Sequence, residues 1–354
     1  MSTEKPMIIA NRYKKLDSFN KGGMGEVLIF EDLHLQRKVV LKHLQPGVEA
    51  RRLLDEQKAL LRVRSKHVVQ LYDIVEISYS EAVYPAIILE FIDGDNLDVA
   101  GYNPDEKYLN VIWQISCGLS DIHSHNIIHR DIKPNNIKID REGVVKILDF
   151  GLSRSNENAN TKSVIGTPMF MAPELWGRET IAFDSSIDVY AYAITCLMLL
   201  TSTVPKELLC HPPVQPSLAD FSAAFNGIPL EITTILYKCL SADRAQRPSM
   251  DEVKNLLAKH LLRDKHRATV VLNGKCHTLD SSNKKISLNG TVGGLSIDYD
   301  GLDFKVSQVT GSVYINNSST VVGSIVPGCC VLTFGQGANR KFVTFDVSNP
   351  EVMP

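Results

Sequence analysis

Two short strings in the middle of the chain carry acidic and amide side chains at a spacing suited to phosphoryl transfer. The first covers residues 127–136 (IIHRDIKPNN), and thirteen residues after Asn136 the second begins, Asp149-Phe150-Gly151. Phosphoryl transfer needs an acid at the attacking hydroxyl and oxygen ligands that hold Mg²⁺ on the nucleotide phosphates. We predict Asp131 as that base and Asn136 and Asp149 as the metal ligands, because Mg²⁺ takes few protein oxygens when phosphates and waters supply the rest.

The two strings resemble the H-R-D-x-K-x-x-N catalytic loop and the D-F-G of protein kinases. The letters IKPNN at residues 132–136 resemble the serine/threonine branch, in which a lysine two residues after the base steadies the γ-phosphate. This resemblance assigns that role to Lys133. It implies an α+β, bilobal protein kinase fold with a small β-rich N-lobe and a helical C-lobe. It also implies ATP, Mg²⁺ (with Mn²⁺ as a substitute) and protein substrates.

Residues 20–27 (NKGGMGEV) resemble the glycine-rich loop that covers the phosphates. Backbone N–H groups approach phosphates most closely at residues without a Cβ. The resemblance assigns nucleotide contacts to Gly22, Gly23, Gly25 and Val27, and places Asn20 where the family has its first glycine. Taken alone, such a loop is also an ordinary hairpin turn. Its wording is similar to that of bacterial eukaryote-like (Hanks-type) kinases, which suggests a bacterial or prophage origin and a role in stress signalling or phage exclusion.

Lys42 lies at the end of a predicted strand, where the family has the lysine that contacts the α- and β-phosphates and a helix glutamate. The resemblance assigns its partner to Glu56, which lies on a helix predicted for residues 49–64 and at the family's spacing from residues 65–73. Glu49 lies too early in that helix, and Asp55 points about a third of a turn away. Leucines 53, 54, 60 and 61 recur at helical spacing, which predicts that they face the core.

Residues 87–94 (IILEFIDG) resemble the hinge between the two lobes. The resemblance makes Leu89 the gatekeeper beside the adenine, and it assigns the hydrogen bonds to the adenine edge to the backbones of Glu90 and Ile92. Val40 stands where the family usually has alanine against the base. A buried strand ending at residue 94 is compatible with the same letters.

Residues 149–174 correspond to the activation segment, which ends in Ala172-Pro173-Glu174, a match to A-P-E. Its candidate phosphorylation sites are Ser153, Ser155, Thr161 and Ser163. Autophosphorylation is expected around Thr161 and Ser163, since a phosphate can order a segment by pairing with a cation. The resemblance assigns that pairing to Arg130, gives Thr167 a contact with the catalytic loop, and predicts a buried ion pair between Glu174 and Arg247.

Composition excludes some classes of function and leaves others open. The formal net charge is −2, which gives no bulk attraction to nucleic acid or to an anionic membrane. No apolar run reaches the roughly 18 residues that a membrane span needs, and the N-terminus carries no secretory signal. Seven scattered cysteines without metal-type spacing predict free thiols in a cytoplasmic protein.

The sequence changes near residue 269 to short Val/Ile/Thr runs separated by turn signals. This pattern predicts a small all-β sandwich. We predict a tail at 1–11, a kinase domain at 12–262 (N-lobe 12–91, C-lobe 93–262), a linker at 263–268, a β domain at 269–348 and a tail at 349–354. The end of the β domain distantly resembles forkhead-associated domains. The arginine and Ser-x-x-His that bind phosphothreonine in that family are not recognisable here. A structural or docking sandwich is therefore favoured over a phosphopeptide binder.

Three functional hypotheses remain open from the sequence. The first is an active serine/threonine protein kinase, and the second is a tyrosine or dual-specificity kinase. The third is a pseudokinase scaffold that works through its β domain and docks a protein partner or phosphopeptide there. All five catalytic positions keep the family residue, which weighs against the scaffold: Lys42, Glu56, Asp131, Asn136 and Asp149.

Overall fold

The computed structural model describes most of the chain and shows two compact units, which divide between Asn255 and Leu256. The described residues are 7–16, 21–22, 25–43, 50–79, 82–155, 160–161, 168–176, 181–182, 184–272, 274–348 and 350–352. The division falls within a helix that spans Met250–Leu261. The domain ends predicted at residues 262 and 269 stay predictions.

The first unit opens with an antiparallel sheet of strand order β1-β2-β4-β5-β7-β6, in which β3 pairs with β4. Its strands are β1 (Ile8–Ile9), β2 (Tyr13–Lys15), β3 (Lys21–Gly22), β4 (Gly25–Asp32), β5 (Arg37–His43), β6 (Leu71–Tyr79) and β7 (Ala82–Glu90). One face of the sheet carries an apolar cluster that includes Tyr13, Phe30, Val39, Leu41 and Ile88.

Strand alternation determines what the opposite face of this sheet presents. Val39 and Leu41 are buried in the apolar cluster, so Val40 and Lys42 point to the other face. Lys42 pairs with Val27 on one side and with Ile87 on the other, and Val40 pairs with Leu89. The strand β5 therefore places Lys42 between the glycine-rich strand and the strand that leads out of the sheet.

Helix α1 (Ala50–Arg62) packs on this sheet through a narrower apolar stripe than the leucine spacing predicts. Leu53 and Leu60 are buried, as expected, but Leu54 and Leu61 are 45% and 59% exposed. The prediction that all four leucines face the core was wrong. Positions 54 and 61 are seven residues apart and lie on the same outward face, because two turns of an α-helix take about seven residues.

The rest of the first unit is mainly helical, with short strands around the loops that matter for function. The helices are α2 (Glu106–Ser124), α3 (Ser186–Leu200), α4 (Leu218–Ser222), α5 (Leu230–Cys239) and α6 (Met250–Leu261). The strands are β8 (Gly94–Asn96), β9 (Ile127–Ile128), β10 (Ile137–Asp140), β11 (Val145–Ile147), β12 (Arg154–Ser155), β13 (Asn160–Thr161) and β14 (Ile181–Ala182).

Helices α2 and α3 support the loops of this lobe. The side chain of Asp105 caps α2 by accepting a hydrogen bond from the N–H of Tyr108, at 3.0 Å. Helix α3 is buried along most of its length, so it forms the centre of the lobe. Tyr192 of α3 donates its hydroxyl to the carbonyl of Ile112 in α2 at 3.0 Å, which fixes one helix against the other.

The second unit is an all-β sandwich. One sheet has the order β16-β15-β23-β22-β20-β21 and the other the order β17-β18-β19. The strands are β15 (Ala268–Leu272), β16 (Lys275–Leu279), β17 (Lys285–Gly290), β18 (Gly293–Tyr299), β19 (Phe304–Gly311), β20 (Val313–Ile315), β21 (Ser318–Ser319), β22 (Cys329–Phe334) and β23 (Lys341–Val347). Phe304 of one sheet meets Phe345 of the other edge to face, with ring centroids 5.4 Å apart. Alternating residues of both sheets fill a single core.

The architecture agrees with the predicted fold class, since a β-rich lobe and a helical lobe are followed by a β sandwich. All seven cysteines are free thiols. In the adjacent pair on β22, Cys330 is buried and Cys329 is exposed, as alternation along a strand requires. The likeness of this unit to forkhead-associated domains stays a prediction.

Candidate active site

Lys42 is the centre of a three-residue charge cluster that joins three separate elements. Its Nζ lies 2.8 Å from Glu56 Oε1 and 2.8 Å from Asp149 Oδ1. Lys42 comes from β5, Glu56 from the second turn of α1, and Asp149 from the loop after β11. Glu56 is 1% exposed, so its carboxylate depends on the ammonium group for its charge partner. The structure thus brings together three side chains that the sequence analysis selected separately.

The electrostatics of this cluster favour the charged forms of Lys42 and Asp149. Burial works to lower the pKa of Lys42, but the carboxylates of Glu56 and Asp149 outweigh it and raise that pKa above its ordinary value. Burial likewise works to raise the pKa of Asp149, and the ammonium group of Lys42 outweighs it and lowers that pKa. A cation and an acid are therefore both ionised at neutral pH on one wall of the cleft.

Gly151 lies directly against this cluster. A Cβ at residue 151 would sit 3.1 Å from Asp149 Oδ1, 3.7 Å from Glu56 Oε2 and 3.8 Å from Lys42 Nζ. The N–H of Gly151 also donates to Asp149 Oδ1, at 3.3 Å. A side chain here would crowd the charged groups, which explains why this position needs a glycine.

The predicted base, Asp131, is held by two neighbours from the same loop. Lys133 Nζ lies 2.9 Å and 2.8 Å from the two carboxylate oxygens of Asp131. Asn136 Nδ2 donates to the backbone carbonyl of Asp131 and to its Oδ2, both at 2.8 Å. The loop between β9 and β10 therefore fixes the carboxylate in one orientation, with Asp131 only 7% exposed.

His129 connects this loop to the loop that carries Asp149. Its Nε2 lies 2.8 Å from the carbonyl of Leu148, and its Nδ1 lies 3.3 Å from the N–H of Asp131. Because Nδ1 accepts from an N–H, Nε2 carries the proton and donates to Leu148. The imidazole also meets the Phe150 ring edge to face, at 4.7 Å between centroids. His129 and Phe150 are both fully buried, so they hold the two loops in place and lie away from the solvent.

Asp188, at the start of α3, holds the loop between β9 and β10 in place. Its carboxylate accepts the backbone N–H of His129 and that of Arg130, both at 2.8 Å. His123 Nε2 lies 3.0 Å from Asp188 Oδ2. Asp188 is fully buried, and burial works to raise its pKa. The hydrogen bond from His123 and the loop amides outweigh burial and lower that pKa.

Two residues of the site adopt backbone conformations that are uncommon without glycine. Arg130 has φ +72° and Asp149 has φ +60°, both in the left-handed region. Such conformations persist where surrounding contacts determine them, and they cluster at functional sites. Here the hydrogen bond to Asp188 holds residue 130, and the contact with Lys42 holds residue 149.

Two of the residues predicted to surround an adenine, Val40 and Leu89, lie on the same side of the sheet as Lys42. Val40 and Leu89 are direct cross-strand neighbours, and Leu89 and Ile92 are both 7% exposed. The N–H of Glu90 donates to the carbonyl of Gln70, at 2.9 Å. A backbone contact from Glu90 to a base must therefore use its carbonyl group.

The glycine-rich loop is described only in part. Gly22 and Gly25 face each other across the β3–β4 pair. Val27 lies two residues further along β4, opposite Lys42. Gly23 and Asn20 lie outside the described residues.

The activation segment is also described only in part. Ser163 and Thr167 lie outside the described residues, and Thr161 belongs to the short strand β13, which pairs with β14. Ser153 is 2% exposed and donates its hydroxyl to the carbonyl of Phe150, at 2.7 Å. It is therefore a buried structural residue, which removes it from the candidate phosphorylation sites.

The ion pair expected between Glu174 and Arg247 is present. Arg247 Nη1 and Nη2 each lie 2.8 Å from one carboxylate oxygen of Glu174, so the pair is bidentate. Arg247 also donates to the carbonyls of Ser241 and Ser186, at 2.9 Å and 3.0 Å. Its side chain is completely buried.

A family profile described as "Protein kinase domain" matches residues 13–257. The chain belongs to the protein kinase family. The match covers the β-rich lobe and most of the helical lobe, and both strings that carry the acids and amides of the site lie within it.

The relatives of this kinase include bacterial enzymes at about 30% identity. It is 29% identical over 278 residues to the serine/threonine-protein kinase pkn2 of Myxococcus xanthus, covering 71% of this chain and 33% of that protein. It is 28% identical over 261 residues to PknB of Mycobacterium leprae, covering 68% and 42% of the two chains. For PrkC of Bacillus subtilis the identity is 32% over 211 residues, covering 56% and 32%. The matches thus span less than half the length of these three relatives.

The side chains of the kinase site fit the divalent metal that this family generally uses. Asn136 donates both amide hydrogens to Asp131, so its Oδ1 is the atom that remains to bind a metal. Asp149 engages Lys42 through Oδ1 and has a second carboxylate oxygen. Within the described part of the chain no group of three or more His, Cys, Asp or Glu could hold a metal ion. Two hard oxygen ligands suit Mg²⁺, which keeps phosphate and water ligands.

Sequence reasoning missed two contributors to the positioning of this site. One is His123, which hydrogen-bonds Asp188 from the last turn of α2. The other is the pair between Lys146 and Glu90, at 2.8 Å, which ties β11 to the end of β7. The sequence shows only that each of these residues lies within a few positions of a motif. Such closeness does not identify a contact partner more than 50 residues away.

Across the described ranges, no helix combines the length and the apolar character that crossing a lipid bilayer requires.

Proposed function

We propose that this chain is an active serine/threonine protein kinase that transfers the γ-phosphate of Mg·ATP to a protein hydroxyl. The observation that carries the proposal is the contact of Lys42 with both Glu56 and Asp149, at 2.8 Å each. Phosphoryl transfer in protein kinases requires the strand lysine, the helix glutamate and the metal-binding aspartate to be in place together. The contacts of Lys42 with Glu56 and with Asp149 support this arrangement.

The nucleotide would lie between the glycine-rich strand pair and the cleft face of the sheet. The backbones of Gly22, Gly23 and Gly25 would cover the phosphates, and Lys42 would contact the α- and β-phosphates. The base would pack against Val27, Val40 and Leu89, with its edge toward the backbones of Glu90 and Ile92. The support is that Val40, Lys42 and Leu89 share a face of the sheet opposite its apolar cluster.

The transfer itself would depend on positioning and on charge stabilisation. Asp131 would orient the substrate hydroxyl and accept its proton, while Lys133 would steady the transferred phosphoryl group. Mg²⁺ held by Asn136 and Asp149 would supply charge neutralisation on the phosphates. The support is the arrangement of Lys133 and Asn136 around the Asp131 carboxylate, at 2.8 Å to 2.9 Å.

Serine and threonine are favoured as acceptors over tyrosine on two grounds. Lys133 stands at the position that is lysine in the serine/threonine branch, and it contacts Asp131 directly. The bacterial relatives named above are serine/threonine-protein kinases by name. The pseudokinase alternative is disfavoured because the five catalytic side chains are retained and three contacts between them are formed.

The test is transfer of labelled phosphate from γ-labelled ATP with Mg²⁺ to a general protein acceptor, followed by phosphoamino-acid analysis. We expect phosphoserine and phosphothreonine from the wild type. The Asp131→Asn variant should lose a hundredfold or more of the rate, since general-base contributions are about 10² to 10⁴. Because the amide is isosteric with the carboxylate, the fold should persist.

The matched control is Glu142→Gln, the same chemical change at an exposed residue in the turn between β10 and β11. Its rate should equal that of the wild type. Phosphotyrosine as the main product would favour the tyrosine or dual-specificity alternative. Absence of transfer by the wild type in the presence of either Mg²⁺ or Mn²⁺, with intact fold, would favour the scaffold.

A further inference from the structure

A second concave site lies on the first unit, lined by none of the residues assigned to nucleotide or hydroxyl. Its lining residues are Arg64, Ser65, Lys66, Gln70 and Lys146, and its volume is about 310 Å³. The site is shallow and open to solvent.

Three of the five lining side chains are cations. Lys146 is neutralised by Glu90, whose two carboxylate oxygens lie 2.8 Å and 3.0 Å from Nζ. Arg64 and Lys66 are exposed, and within the described residues neither makes an ion pair. The pocket, counted together with Glu90, therefore has a formal net charge of about +2.

The surrounding sequence reinforces this charge. Residues 57–70 contain Lys58, Arg62, Arg64 and Lys66 and no acidic residue, in a chain whose formal net charge is −2. Like charges in one stretch repel one another, so an oppositely charged ligand is favoured there. The excess of positive charge is thus local to this segment and is not a property of the whole protein.

The walls of the pocket are fixed by hydrogen bonds that need no ligand. Gln70 Nε2 donates to the carbonyls of Ser65 and Val68, both at 2.9 Å. Ser65 Oγ accepts the N–H of His67 at 3.1 Å, and the N–H of Gln70 donates to Glu90 Oε2 at 3.1 Å. A preformed site loses less conformational entropy on binding. The two free cations thus project from a loop that is already ordered.

We propose that this pocket, which we call the basic pocket, binds an acidic segment of a partner protein. Arg64 and Lys66 bind carboxylates of Asp and Glu in that segment. A peptide fits better than a free ion, because the volume exceeds what one small anion fills. A nucleic acid fits less well, since no aromatic side chain lines the pocket to stack on a base.

The test measures fluorescence anisotropy of a labelled hexaglutamate peptide with the full chain at low ionic strength, where charge interactions are least screened. We expect saturable binding that the Arg64→Ala/Lys66→Ala double variant weakens about tenfold, since each exposed ion pair contributes modestly. The Arg64→Glu/Lys66→Glu variant should abolish it. Both side chains are exposed, so the melting temperature should not change.

The matched control is Lys206→Ala/Lys275→Ala, which removes the same net charge at two exposed residues outside the pocket and outside residues 57–70. It should bind the peptide within about twofold of the wild type. A phosphoserine peptide that binds more tightly than hexaglutamate, with the same loss in the double variant, would overturn the choice of carboxylates. Equal or weaker binding would support carboxylates.

Three further results would overturn the proposal. One is hexaglutamate binding that is equal in wild type and the Arg64→Ala/Lys66→Ala variant, or equally reduced in the control. Another is the absence of peptide binding while inorganic phosphate alone binds. The third is binding of single-stranded DNA that depends on Arg64 and Lys66 when hexaglutamate does not bind.

Discussion

The ammonium group of Lys42 lies 2.8 Å from Oδ1 of Asp149, although the two residues are 107 positions apart in the chain. The contact joins the central strand of the β-rich lobe to the loop after β11. Phe150, the next residue, is fully buried against His129 and so cannot occupy the space of the aspartate. The loop therefore presents its acid, and not its phenyl ring, to the lysine.

Replacement of Lys42 by methionine should abolish phosphoryl transfer, with a loss of about a hundredfold or more in rate. Methionine preserves length and packing but removes the charge between Glu56 and Asp149. The variant should also be less stable by about 3 kcal/mol or more, because the buried Glu56 loses its partner. Transfer of labelled phosphate and denaturant unfolding measure the two effects.

The double variant Lys42→Met/Glu56→Gln separates the two effects. Neutralising Glu56 should restore most of the stability, but it should not restore any transfer. Lys58→Met, an exposed lysine on the same helix as Glu56, is the control and should keep both properties. If Lys42→Met alone retained the wild-type rate, the assignment of Lys42 would be wrong.

The carboxylate of Asp188 should make a stability contribution that disappears at low pH. Its pKa is lower in the folded protein than the ordinary value near 3.9. A lowered pKa means that the contribution is fully present above about pH 4 and is lost as the pH falls through the folded-state value. Asp188→Asn should therefore be less stable than the wild type at neutral pH.

The measurement is the free energy of unfolding of wild type and Asp188→Asn between about pH 7 and pH 3. The difference should shrink at the acidic end, because the wild-type carboxylate is then protonated too. Other acids titrate equally in both proteins and cancel in the difference. A difference that stays constant or grows toward acid would contradict the role assigned to Asp188.

Much of the site could be predicted because its residues belong to short ordered strings. Asp131, Asn136 and Asp149 lie in two strings that resemble family motifs, and Glu56 follows from the family's spacing along a predicted helix. The exposure of Leu54 and Leu61 could not be predicted, because periodicity gives the helix face but not how wide a stripe the sheet covers. The contacts of His123 with Asp188 and of Lys146 with Glu90 depend on tertiary placement.

In the second unit, the alternation of Val/Ile/Thr runs predicted strands but not their order. Strand β23, last in the sequence, lies between β15 and β22. Because the paired residues lie about 75 positions apart, the sequence of either strand alone does not identify its partner. The exposure of Cys329 beside the buried Cys330 is likewise set by register, since a shift of one residue exchanges the two faces of a strand.

The Glu174–Arg247 pair should be a major source of stability for the helical lobe. Arg247→Ala should cost about 3–5 kcal/mol, because it leaves Glu174 and the carbonyls of Ser186 and Ser241 without their donor. Glu174→Leu/Arg247→Met should recover much of that loss, since a well-packed apolar pair is often as stable as a buried ion pair. Denaturant unfolding measures both.

The same two variants have a control at the surface. Arg141→Ala removes an arginine that pairs with Asp93 at 3.2 Å while 80% exposed. It should cost about 1 kcal/mol or less. A loss in Arg247→Ala no greater than in Arg141→Ala would show that burial adds nothing to the pair.

Autophosphorylation of the activation segment should be selective among its hydroxyls. Thr161 and Ser163 lie in a stretch with Lys162 and few apolar residues, whereas Ser153 is buried and bonded to Phe150. Mass spectrometry of protein incubated with Mg·ATP should find phosphate on Thr161 or Ser163 and none on Ser153. The Asp131→Asn variant should carry no phosphate, and Thr161→Ala/Ser163→Ala should lower the activity that incubation with ATP produces. Phosphate found on Ser153, or equal activity in Thr161→Ala/Ser163→Ala, would show that the buried hydroxyl is accessible or that these two sites have no effect on the catalytic loop.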